Sequence, residues 1–105
     1  MSDSMDGVWV VHAATPLGQI DIEMTVTTHD GVVTAVAAGS GQRLQLEGIT
    51  MTPEGDGERV RWTQQLTEPM RIRVAVDVLV TGDTLAGTAK AGIFPRSKVS
   101  GRRIG

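Results

Sequence analysis

Residues 70–91 read MRIRVAVDVLV, TGD, TLAGTAKA, and this stretch decides the fold. From 70 to 80 the apolar residues Ile72, Val74, Val76, Val78 and Val80 fall on every second position, with Arg71, Arg73 and Asp77 among those between. A period of two puts them on one face of a β-strand; a helix would need a period near 3.6. Thr81-Gly82-Asp83 breaks the run. Alternation resumes over 84–91, with Leu85, Gly87, Ala89 and Ala91 on one face and Thr88 and Lys90 on the other. Two alternating runs joined by a short glycine-containing turn predict a β-hairpin.

The same pattern extends in both directions. Turn signals stand at TPLG (15–18), THDG (28–31), GSGQ (39–42), TPEGDGE (52–58), TEP (67–69), TGD (81–83) and GIFPRSK (92–98). They divide the chain into eight predicted strands, at about 7–14, 19–27, 32–38, 42–51, 59–66, 70–80, 84–91 and 98–104. The inward sets are Trp9, Val11 and Ala13; Ile20, Ile22, Met24 and Val26; Val33, Ala35 and Ala37; Val60, Trp62, Gln64 and Leu66; and, at the end, Val99, Gly101 and Arg103. In the fourth strand the apolar parity changes from Leu44 and Leu46 to Ile49 and Met51, which one extra residue near Glu47-Gly48 would produce, so a β-bulge is expected there. One apolar and one polar face per strand is the pattern of an antiparallel sheet with one wet side.

Short connections favour up-and-down pairing, and eight such strands can close and remove both sheet edges. The expected fold is therefore all-β: a small eight-stranded antiparallel up-and-down β-barrel without substantial helix. A two-sheet sandwich is the alternative, but it usually needs longer crossover connections. Up-and-down order places TPLG, GSGQ, TEP and GIFPRSK at one end. The first end is richer in glycine and apolar residues (Leu17, Met70, Ile93, Phe94) and is read as a mouth; the acidic, tight turns at the other end are read as a closed base.

The chain has 105 residues, enough for one domain with one modest core. Residues 1–6 are expected to form a disordered N-terminus and 7–105 the domain. No apolar run approaches the ~20 residues of a membrane-spanning helix, and no signal-peptide pattern opens the chain, so no membrane partner is expected. The absence of cysteine removes disulfides, thiolate metal sites and cysteine nucleophiles, and fits a cytoplasmic protein. Two histidines without cysteine make no zinc constellation, so neither metal nor cofactor is expected. Arg59, Arg61, Arg71, Arg73, Arg102 and Arg103 either form a local basic patch or lie on a solvated strand face. With two Trp, one Phe and no Tyr, stacking platforms for bases are nearly absent, and no nucleic-acid partner is expected.

Two terminal motifs carry a resemblance. Gly7-Val8-Trp9 matches the G-x-W signature on the first strand of the lipocalin and calycin superfamily, and Gly101-Arg102-Arg103 matches its terminal G-x-R. The chain also resembles short uncharacterised bacterial lipocalin-like proteins, sharing Thr15, Pro16 and Gly18 after the first strand and Ala91, Gly92 and Phe94 before the last. The resemblance implies a barrel that binds small, mainly apolar molecules, with the last-strand arginine packed across the tryptophan at the closed end. Physics supports the same clamp of Trp9 and Arg103: an inward arginine needs partners, and an indole face with nearby carbonyls supplies them. Typical lipocalins are longer and carry a helix after the barrel, which implies a smaller pocket here.

An eight-stranded barrel is just wide enough to fill with side chains or to hold one small ligand. Ala13, Ala35, Ala37, Gly87, Ala89, Ala91 and Gly101 are small inward residues. They either leave a cavity or relieve crowding where strands approach closely. If a cavity exists, Met24, Trp62, Gln64, Met70 and Phe94 are the expected lining at the mouth, and the ligand is small and apolar or amphipathic. The alternative is a cofactor-free isomerase, lyase or cyclase, whose acid–base groups would come from Glu68, Lys98 or His12. His12 nevertheless has outward parity, with Val8 and Val10. A third reading is a homodimer contact through Val8, Val10 and Ile104.

Overall fold

The computed structural model describes residues 5–15, 18–39, 41–66 and 71–105. Within them the fold is all-β with no helix: nine antiparallel strands in one sheet that curls into a nearly closed barrel. The strands are β1 (Gly7–Thr15), β2 (Gly18–His29), β3 (Val32–Gly39), β4 (Gln42–Gln45), β5 (Glu47–Glu54), β6 (Gly57–Leu66), β7 (Ile72–Thr81), β8 (Thr84–Ala91) and β9 (Ser97–Arg103). Their order is β4-β3-β2-β1-β9-β8-β7-β6-β5, so every neighbour but one is a hairpin partner. The exception joins the two ends of the chain: β1 pairs with β9, with Trp9 opposite Arg103 and Ala13 opposite Val99, at the middle of the sheet, while β4 and β5 stand at its two edges.

Nine strands replace the expected eight because the run 42–54 divides at Leu46. β4 pairs with β3, and β5 pairs with β6. The β5–β6 register slips by one residue between Glu47 and Thr50, and Gly48 takes φ +61° there, a conformation that other residues adopt at a cost. The extra residue turns both Leu44/Leu46 and Ile49/Met51 inward. The run thus passes from one edge of the sheet to the other, with β4 and β5 as the two edge strands.

The core occupies the base half. Trp9, Met24, Val60 and Val78 are its most deeply buried large side chains, with Val26, Ala35, Leu46, Val80 and Leu85 around them. Of the six residues expected to be disordered, Met5 and Asp6 are among the described ones and are held in place. Met5 is 3 % exposed, its carbonyl accepts the Trp9 indole N–H at 2.9 Å, and Asp6 accepts a hydrogen bond from the Thr28 hydroxyl. Both residues belong to the base, where Met5 supplies the acceptor that a buried indole N–H requires and Asp6 accepts from Thr28 and Arg103.

The small inward residues divide into two groups. A Cβ on Gly87 would lie 2.0 Å from the Asp77 carbonyl oxygen, and one on Gly101 2.7 Å from that of Val10. These glycines permit close strand approach. Ala13, Ala37, Ala89 and Ala91 instead border open space in the mouth half.

Candidate functional site

That space is a cavity of about 250 Å³. Val11, Ala13 and Thr15 of β1, Ile20 and Ile22 of β2, Ala37 of β3 and Leu44 of β4 form one side of its wall. Trp62, Gln64 and Leu66 of β6, Ile72, Val74 and Val76 of β7, Ala89 and Ala91 of β8, and Ser97 and Val99 of β9 form the other. Phe94 and Pro95, from the β8–β9 connection, stand at its rim. Trp62 borders both this cavity and the packed cluster of Met24, Val26, Val33 and Val60, so its indole is the floor that separates them. Alternation explains the wall. Each strand sends every second side chain inward, and at four of these positions the side chain ends at Cβ.

The polar groups on the lining are Thr15, Gln42, Gln64 and Ser97. The Trp62 indole N–H donates to Gln64 Oε1 at 3.1 Å. An indole can only donate, so the amide oxygen is the bonded atom and the Gln64 NH₂ remains with no partner among the described residues. Ser97, only 7 % exposed, is the buried polar residue of the described core. No carboxylate, ammonium, guanidinium or imidazole is among the described lining residues.

The residues expected at the mouth are only partly gathered there. Trp62, Gln64 and Phe94 line the cavity. Met24 does not: it faces inward as its parity requires, but it pairs with Trp9 and is fully buried in the base. Alternation determines the face of a residue and leaves its depth along the barrel open. Met70 and Glu68 lie outside the described residues. Lys98 is exposed on the outer wall, and so is the His12 imidazole, whose Nδ1–H donates to Asp21 Oδ1 at 2.7 Å. That hydrogen bond, followed by one from Gln19, holds the Asp21 carboxyl below the usual carboxylate range. The two basic candidates for acid–base chemistry are therefore separated from the cavity by the barrel wall. Thr15 and Ser97 fall within the turn signals TPLG (15–18) and GIFPRSK (92–98). Extending the parity of Val99 and of Ala13 by two residues would have placed both inward.

At the base the Arg103 guanidinium lies over the Trp9 ring, 4.6 Å from its centroid. Its Nε–H donates to Asp83 Oδ1 at 2.8 Å, one terminal nitrogen to the Gly82 carbonyl at 3.1 Å and the other to the Asp6 carbonyl. Cation–π contact and the oxygen acceptors of Asp6, Gly82 and Asp83 help to satisfy a charge that is only partly exposed.

Elsewhere on the outer wall, Asp77 accepts hydrogen bonds from Arg59 and Arg61, and Arg59 also reaches Glu54. Arg73 stands 3.8 Å from Glu47. These arginines belong to a charge-balanced face. Of the residues considered for a dimer contact, Ile104 is exposed while Val8 and Val10 are half-buried.

The fold is similar to that of a redesigned beta barrel, with a TM-score of 0.71 over 99 % of this chain and 95 % of that one. Sequence identity is 14 %, so the likeness concerns the fold alone. No family model matches the chain, and no curated protein does.

Proposed function

We propose that this barrel binds a small, mainly apolar molecule in its mouth cavity. The observation that carries the reading is the mouth half itself: aliphatic walls stop short at four alanines, and the space between them stays open above the Trp62 floor. A fold seeking only stability would fill such a space, since each buried methylene contributes ~0.8 kcal/mol. The cavity volume of 250 Å³ exceeds the roughly 150 Å³ that accommodates benzene and falls short of the roughly 300 Å³ at which typical ligand sites begin. A ligand of about ten non-hydrogen atoms follows. At a little over half a kcal/mol per atom its binding free energy is about 5–7 kcal/mol, a Kd of roughly 10–200 µM. The resemblance of Gly7-Val8-Trp9 and the terminal arginine to the lipocalin superfamily supports the same reading.

The test is titration of the full chain with neutral bicyclic aromatic probes, followed through the methyl resonances of Ala13, Ala89 and Ala91. Saturable shifts at these three methyls, with none at Ala35 in the packed base, are expected. Shifts confined to the outer wall, or none at millimolar probe, would refute the reading.

A further inference from the structure

We infer that the molecule in this cavity is an amphiphile with an anionic head: its tail lies in the cavity and its head at the rim. The inference rests on the binding reading above and goes beyond it by naming the head group.

Charge is sorted along the barrel. At the base, Asp30, Asp56 and Asp83 in the turns and Glu54 and Glu58 on the flanking strand ends outnumber Arg59, Arg102 and Arg103, and Arg59 and Arg103 are paired with Glu54 and Asp83. Around the mouth stand Arg43 on β4, Arg71 immediately before β7, Arg96 in the β8–β9 connection and Lys98 on β9. All four are exposed, and none makes an ion pair among the described residues. Arg96 sits between Pro95 and Ser97, and Arg71 precedes Ile72; all three of those neighbours line the cavity. The long side chains of Arg71 and Arg96 therefore spring from the edge of the apolar wall. The described acids of this half, Asp21, Glu23 and Glu47, lie exposed on the outer face, where Asp21 is already paired with His12 and Glu47 faces Arg73. The net charge of −2 would by itself repel an anion, so any attraction must come from this local sorting.

The interior points the same way. Gln64 lies two residues from the mouth end of β6, and its NH₂ is left as a donor by the bond to Trp62. Ser97 adds a hydroxyl at the mouth end of β9. A carboxylate or similar head accepts hydrogen bonds from such groups, whereas an ammonium head would find no carboxylate on the described lining and four cations around it.

The experiment is calorimetric titration of the full chain with octanoate, octan-1-ol and octylammonium, which share one tail and differ in head. Octanoate is expected to bind about tenfold tighter than either of the others at an ionic strength of about 0.01 M. That advantage should shrink toward zero near 1 M, where the screening length falls from about 30 Å to about 3 Å. The double variant Arg71→Gln/Arg96→Gln should lose most of the octanoate preference and leave octanol affinity within about twofold. Both side chains are exposed, so the variant should fold, and the octanol arm verifies its cavity. Octanol binding as tightly as octanoate, or an octanoate preference untouched by the double variant, would overturn the inference while the cavity reading stands. If none of the three binds, the cavity reading falls and the inference with it.

Discussion

Replacing Ala89 with leucine tests whether the mouth half is hollow, because a hollow and a filled interior give opposite signs. Ala89 lies on β8 between Val76 of β7 and Ser97 of β9, and its methyl borders the cavity. Leucine adds three carbon atoms. Fully buried against the facing aliphatic wall they would contribute about 2.4 kcal/mol, at ~0.8 kcal/mol per methylene. The cavity opens toward the rim, so part of the new surface stays wet and a gain of about 1–2 kcal/mol is expected. With a urea m-value near 2 kcal/mol/M for a domain of this size, the unfolding midpoint rises by about 0.5–1 M. The added carbons occupy the space of the ligand tail, so probe binding weakens by tenfold or more, at about 1.4 kcal/mol per decade. In a filled interior the same substitution would overpack the barrel and cost about 1–3 kcal/mol. A midpoint lowered by about 0.5 M or more, or a probe affinity unchanged in the variant, would refute the hollow mouth.

Three further outcomes are expected. Arg103→Ala removes the stack on Trp9 and leaves the Gly82 and Asp6 carbonyls without their donor, so equilibrium denaturation should show a loss of about 1–3 kcal/mol; a variant within about 0.5 kcal/mol of the parent would deny the clamp its structural role. Gly87→Ala places a methyl against the Asp77 carbonyl oxygen and should cost at least about 2 kcal/mol, with cavity binding retained in the folded fraction; an unaffected midpoint would contradict the close approach of β7 and β8. Burial acts to raise the Asp77 carboxyl, but hydrogen bonds from Arg59 and Arg61 outweigh it and hold it below the usual carboxylate range. A depressed folded-state value means stability that is present above the unfolded value, about 3.9, and lost as pH falls through the folded one, so Asp77→Asn should flatten the acid limb of stability below about pH 4. An unchanged acid limb would show that this pair contributes nothing.

What the sequence determined by itself is the set of facing sides. Alternation is a local property: a residue and its second neighbour share a face of the sheet whatever the rest of the chain does. That is why the inward rows of 72–80 and 85–91, the parity change at Glu47-Gly48 and the outward position of His12 were readable from single segments. Trp9 and Arg103 were also readable as sharing the inward face, but their contact depended on β1 pairing with β9. Three things were decided only in three dimensions. Depth along the barrel was one: Met24 and Trp62 both face inward, yet one lies opposite Trp9 in the packed base and the other floors a cavity, because strand stagger sets height and no local pattern encodes it. The second was the role of the small residues, since Gly87 and Ala89 are two positions apart on one face, and only the distance to the neighbouring backbone separates a close approach from an opening. The third was the fate of Met5, which a terminal position suggested would be loose and which is held because a buried indole N–H required an acceptor. Pattern assigns a side chain to a face; what it meets there depends on the packing of strands distant in sequence.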